Sequence, residues 1–115
     1  MAESYVQVST TTDRREEADE LADLVVERRL AACAQIVGPI TSTYWWKGDK
    51  ETAEEWLVLM KTTGARREEL MATIKAEHSY ETPDITAVPI EAGDSAYLDW
   101  IAAETEPVED DLPTE

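Results

Sequence analysis

The run Ile40-Thr41-Ser42-Thr43-Tyr44-Trp45-Trp46-Lys47, then Gly48-Asp49, then Thr52 to Thr63, decides how this chain folds. Its first part is rich in β-branched and aromatic residues, which suit a pleated, half-buried strand. Gly48-Asp49 reads as the turn of a hairpin. Thr52 to Thr63 is the returning strand, and its apolar stretch Trp56 to Met60 reads as buried on both faces. Upstream, Ala34 to Val37 begins the outgoing strand, and Gly38-Pro39 marks a bend or bulge within it. The two strands are long for a chain of 115 residues. A ribbon that projects beyond its own sheet is marginal alone. Tyr44, Trp45, Trp46 and Trp56 need cover, which points to pairing between subunits in a closed ring.

Outward from the hairpin, the pattern alternates strands and helices. Tyr5 to Thr11 alternates as a strand, with Val6 and Val8 on one face. Asp13 with Glu16 three residues on resembles a capping box, and Ala18, Leu21, Ala22 and Val25 carry a helical stripe to about Arg28. Arg28 and Arg29 suit the negative end of that helix. Arg66 to Glu77 is predicted as a second helix with Leu70, Met71 and Ile74 facing inward. Asp84 to Ile90 is a fourth strand, with Pro89 implying an edge or a strand end. Ser95 to Glu104 closes the domain as a short helix. The order β-α-β-β-α-β plus a helix predicts an α+β, ferredoxin-like domain over residues 1–105. Residues 106–115 are acidic, hold two prolines, and are expected to form a disordered tail.

Composition excludes several functions. Ten basic against 26 acidic residues give a net charge of −16. Nucleic acid is therefore excluded as a partner, because phosphate binding needs clustered Lys and Arg. Anionic membrane surfaces are excluded for the same reason. The chain has no apolar run of spanning length and no basic-then-apolar leader, and its one cysteine, Cys33, has no internal partner for a disulfide. A cytoplasmic location is expected. Scarce lysine, abundant threonine and acids spread through the body of the chain point to a salt-rich, halophilic source, where salt screens self-repulsion.

The candidate site residues lie around His78-Ser79-Tyr80-Glu81-Thr82-Pro83-Asp84-Ile85, which holds the only histidine. Pro83 ends the preceding helix, so His78, Tyr80 and Glu81 sit at a junction where side chains converge. His78 has two readings, a metal ligand or a hydrogen-bonded junction residue. Cys33 reads as a small buried hydrophobe; a nucleophilic Cys33–His78 pair lacks an orienting third group and an oxyanion hole. Trp45 and Trp46 point to opposite sheet faces, and with Tyr44 they read as interface anchors. Lys61, at the end of an apolar strand, needs a carboxylate; Glu81 is the expected partner, with Tyr80 beside it in a subunit cleft. Other carboxylates, such as Glu54 and Glu55, read as solvated. No Gly-rich phosphate loop, CxxC or HExxH is present, so neither a nucleotide cofactor nor an enzyme is indicated.

Five motifs in register resemble the CutA family. They are Arg29-Leu30-Ala31-Ala32-Cys33, Ser42-Thr43-Tyr44-Trp45-Trp46-Lys47-Gly48, Lys61-Thr62-Thr63, the His78 to Ile85 segment, and Tyr97-Leu98-Asp99-Trp100-Ile101. The resemblance runs from about Val6 to Ile101. It implies a ferredoxin-like subunit of a cytoplasmic homotrimer, acting in divalent-cation tolerance and response to metal ions, with copper binding, and similar in assembly to the PII signalling proteins. Some members carry a Cys at the position of Ser9 and a second His at that of Glu77. Here the implied metal set is His78 with Glu77 and Glu81, a hard donor group suited to Cu(II), Zn(II) or Mn(II). A PII-like regulator, binding a small molecule or an unidentified partner protein in the subunit clefts, is the alternative.

Overall fold

The computed structural model describes residues 4–107. The chain folds as β1 (Tyr5–Thr12), α1 (Arg15–Glu27), β2 (Cys33–Trp46), β3 (Asp49–Thr63), α2 (Gly64–Glu77), β4 (Ile85–Pro89) and α3 (Ser95–Glu104). The four strands form one antiparallel sheet in the order β2-β3-β1-β4. This is the ferredoxin-like arrangement expected from the sequence. Among the described residues, no helix is long and apolar enough to cross a membrane. Most of the acidic 106–115 stretch lies outside the described residues.

Period-2 alternation sorts the sheet into two faces. Val6, Val8, Val58 and Met60 point toward α1 and α2 and are fully or nearly buried. Ala18, Leu21 and Val25 of α1, with Leu70 and Ile74 of α2, close this core from the other side. The register places Gln7, Leu59, Lys61 and Val88 on the opposite face, together with Cys33, Gln35 and Val37. That face is only partly covered: Leu59 is half-buried and Val37 and Val88 are exposed.

Local structure departs from the sequence reading at several points. The hairpin turns at Lys47-Gly48 rather than Gly48-Asp49. Both central residues have positive φ, 52° for Lys47 and 88° for Gly48. That pair matches the right-handed twist of the flanking strands, which shifts the turn back by one residue. The bulge is where it was expected, with the β2–β3 register slipping between Val37 and Ile40. Trp56, one of the aromatics expected to need cover from outside, packs against this chain's own core, and its ring lies over the Gly38 backbone. The predicted capping box is absent. Arg14 is the N-cap without a side-chain cap, and Thr12 Oγ1 instead donates to Arg14 O at 2.9 Å. At the far end, Arg29 takes the left-handed position after the helix, at φ 58°, and Leu30 N–H bonds back to Val25 O at 2.9 Å. This is a Schellman closure with arginine where glycine is usual. It drives Leu30 into the core and sends the Arg29 guanidinium to Glu104 at 2.8 Å, so Arg29 ties α1 to α3.

Candidate functional site: an acidic, aromatic cleft

α2 ends at Glu77, and the chain then runs through Ser79 to Asp84 before entering β4. This loop faces the outer half of the β2–β3 hairpin across a cleft of about 600 Å³. One wall carries Tyr44 and Trp46 of β2 with Glu51 and Glu55 of β3. The other carries Tyr80, Glu81 and Asp84, and Thr11 of β1 also lines the space. Tyr44 and Trp46 are two residues apart on one strand and therefore share a face. They are 38% and 37% exposed, whereas Trp45, pointing the other way, is 73% exposed and does not line the cleft. Among the described residues, the four lining carboxylates are accompanied by no lysine or arginine.

The junction behind the cleft is built by His78. Its ring side chain is 0% exposed. Nε2 lies 2.8 Å from Thr11 O, and Nδ1 lies 3.1 Å from Tyr80 N. A carbonyl only accepts and an amide only donates, so Nε2 carries the proton and Nδ1 is the acceptor. Glu17 of α1, also buried, accepts from Ser79 N and Ser79 Oγ, both at 2.9 Å. His78 and Glu17 thus pin the loop to β1 and α1. The Tyr80 ring packs against His78 at a tilt of 37° with ring centroids 4.9 Å apart, and its hydroxyl donates to Glu55 Oε2 at 2.7 Å.

Burial, followed by the hydrogen bond to Glu55 and the charges of Glu55 and Asp13, holds the Tyr80 phenol well above its ordinary value. The sign of the consequence follows. The folded protein keeps this proton after the unfolded chain has lost it near pH 10. The contribution is therefore complete below about pH 10 and is lost as pH rises through the folded value. Urea unfolding between about pH 8 and pH 11 should show stability falling in the alkaline range, and Tyr80→Phe should flatten that fall. An equal alkaline loss in the variant would assign the effect elsewhere.

These contacts correct three expectations. His78, Glu77 and Glu81 do not form one donor set, because both ring nitrogens of His78 are spent on backbone groups and both glutamates are exposed. Among the described residues, no three His, Cys, Asp or Glu side chains are close enough to hold one ion. Lys61 does not meet Glu81; it donates to Gln35 Oε1 at 2.9 Å, on the open sheet face. Cys33 is Lys61's cross-strand neighbour there, half-exposed, with Sγ 3.7 Å from Tyr97 Oη rather than beside His78. Of the Lys61, Tyr80 and Glu81 cluster expected in a cleft, Lys61 is absent, and Trp45 and Trp46 part to opposite sides as the strand alternation predicts. Tyr44, Trp46, Tyr80 and Glu81 line the cleft, Cys33 and Lys61 lie on the open face, and Trp45 projects to the other side.

Sequence reading missed Glu17 and misjudged Glu55. Glu55 is not solvated: it is only 7% exposed. A signal was present, since Glu55 is in phase with Leu57, Leu59 and Lys61 on the face opposite the helices. Glu17 precedes Leu21 and Val25 at four-residue spacing, on the buried stripe of α1, so a signal was present there too, although its partner lies 62 residues away.

Comparison with known proteins agrees with this fold. The family model described as "CutA1 divalent ion tolerance protein" matches residues 6–104. The divalent-cation tolerance protein CutA of Archaeoglobus fulgidus is 44% identical over 91 residues, covering 79% of this chain and 88% of that one. The protein of the same description from Thermus thermophilus is 42% identical over 98 residues, covering 85% of this chain and 95% of its own length. The crystal structure of the Thermus thermophilus protein superposes with a TM-score of 0.86 at 40% identity, covering 89% of this chain and 99% of that chain. An antiparallel ferredoxin-like sheet with a long hairpin defines the fold class, and the chain belongs to the CutA1 divalent ion tolerance family.

Proposed function

We propose that this protein acts in divalent-cation tolerance as a cytoplasmic homotrimer, without catalysis, gathering cations electrostatically at its acidic clefts, with Cu(II) the first ion to test. The observation that carries this reading is the cleft itself: Glu51, Glu55, Glu81 and Asp84 line one concavity with no lysine or arginine among its described lining residues. Clefts lined by one sign of charge focus the field and raise the local concentration of the opposite ion. Without a three-ligand set in the protomer, binding is shallow and sensitive to salt, unlike that of a zinc cage. The trimer is supported by the open sheet face and by the exposed Trp45, Val37 and Val88, which a second subunit would cover. The surface charge of −16 suits a salt-rich cytoplasm.

Calorimetric titration of Cu(II), then Zn(II), in molar KCl tests the reading against a Glu81→Gln/Asp84→Asn variant, with sedimentation of the same samples. A trimer whose saturable event is lost in the variant supports it. A monomer removes the assembly, and identical weak isotherms transfer the ions to general surface carboxylates. A trimer unchanged on dialysis into salt-free buffer removes the halophilic element. The second reading, a PII-like regulator with a small molecule in the cleft, is favoured by one feature that a metal does not need: the paired Tyr44 and Trp46 faces.

A further inference from the structure

We infer that the cleft takes an extended organic polycation, of the linear polyamine class, with its methylenes on Tyr44 and Trp46 and its ammonium groups on the spaced carboxylates. The inference rests on the small-molecule reading of this cleft and gives that molecule a chemical class.

Four observations converge. A volume of about 600 Å³ is in the range of small-molecule sites and far exceeds what a bare ion needs. The carboxylates sit in two places, Glu51 and Glu55 on β3 and Glu81 and Asp84 on the facing loop, and no three of them close on one point. A single ion cannot satisfy such a set, whereas charges separated by a few methylenes can. Tyr44 and Trp46 line the same cleft, and aromatic faces attract alkylammonium ions and cover their carbon chains. Finally, the chain supplies its own stand-in: Lys47 Nζ lies 5.3 Å from the centroid of the Trp46 ring. That contact shows a primary ammonium on an alkyl stem seated on one of the cleft's own aromatic residues.

Tyr80 sharpens the choice of sign. Its hydroxyl proton is committed to Glu55, so at this wall the cleft presents acceptors rather than a free donor. An anionic ligand finds no lysine or arginine among the described lining residues, where Ser42, Thr43 and Thr82 supply hydroxyls alone. A polyamine brings donors alone.

The test is calorimetric titration of spermidine into the full-length protein in molar KCl, with magnesium as a control for simple charge attraction. Hydrogen exchange over residues 44–51 and 80–84 is read in parallel. Spermidine should give one saturable event per chain and protect both segments, and magnesium should do neither. Trp46→Leu and Glu81→Gln should each weaken the event about tenfold. Glu68→Gln/Glu69→Gln, on the exposed side of α2, should leave it unchanged. Equal isotherms for all variants, or equal behaviour of magnesium, would overturn the inference. Indole, a neutral aromatic probe, separates the two levels. Protection of the cleft by indole but not by spermidine overturns the polycation and keeps the small-molecule cleft, and protection by neither overturns both.

Discussion

His78→Ala should lower the unfolding free energy by roughly 3–5 kcal/mol, because it strands two buried backbone groups and opens a cavity. In the folded protein the imidazole is fully buried, donates from Nε2 to Thr11 O at 2.8 Å and accepts at Nδ1 from Tyr80 N at 3.1 Å. Removing the ring leaves a carbonyl and an amide unpaired, each costing about 1–3 kcal/mol when buried. It also removes the surface on which Tyr80 packs, so the hydroxyl that donates to Glu55 loses its support. Urea unfolding, run at one fixed protein concentration, measures the loss. Glu77→Gln, at the exposed preceding position, should stay within about 0.5 kcal/mol of wild type. A metal assay on His78→Ala alone therefore mixes binding with folding. A variant that unfolds at the wild-type urea concentration while losing a saturable Cu(II) event would restore the imidazole as a ligand.

Gly38→Ala should cost about 2–3 kcal/mol through overpacking against Trp56. A Cβ at Gly38 would collide with Trp56 Cδ1 and fall 2.9 Å from Cγ. These atoms are at the root of the indole, so the whole ring must move rather than a flexible tip. Trp56 packs against the core, and moving it disturbs the β2–β3 ribbon at the point where its register slips. The mechanism makes a second demand: in a Trp56→Leu background the added methyl has room, so the cost of Gly38→Ala should shrink by 1 kcal/mol or more, on the order expected for residues in contact. Strictly additive losses, or a neutral Gly38→Ala, would show that the close approach does not govern this position.

How far the sequence could be read follows from which interactions are local. The Val6/Val8 alternation, the Ala18-Leu21-Val25 stripe and the Leu70/Ile74 pair each specified an element and its buried face, because periodicity is a property of neighbouring residues. The Gly38-Pro39 bulge was legible for the same reason. The turn was misplaced by one residue because choosing between Lys47-Gly48 and Gly48-Asp49 requires the strand register, which is a pairing property. The site was legible as a neighbourhood and not as a set of contacts. Tyr44, Trp46, Tyr80 and Glu81 were singled out and do share a cleft. The partners of His78, Lys61 and Cys33 were not foreseen. His78 meets a carbonyl 67 positions earlier, Lys61 meets Gln35 across a strand pair, and Cys33 meets Tyr97 on the closing helix. By itself the sequence determined the elements, their order and the sign of the charge. Only the tertiary structure decided that the single imidazole is a buried strut, that Glu55 is a buried acceptor, and that the remaining carboxylates line a cleft without converging. Hydrogen-bond partners distant in the chain are chosen by strand register and helix docking, and neither is encoded within any one segment.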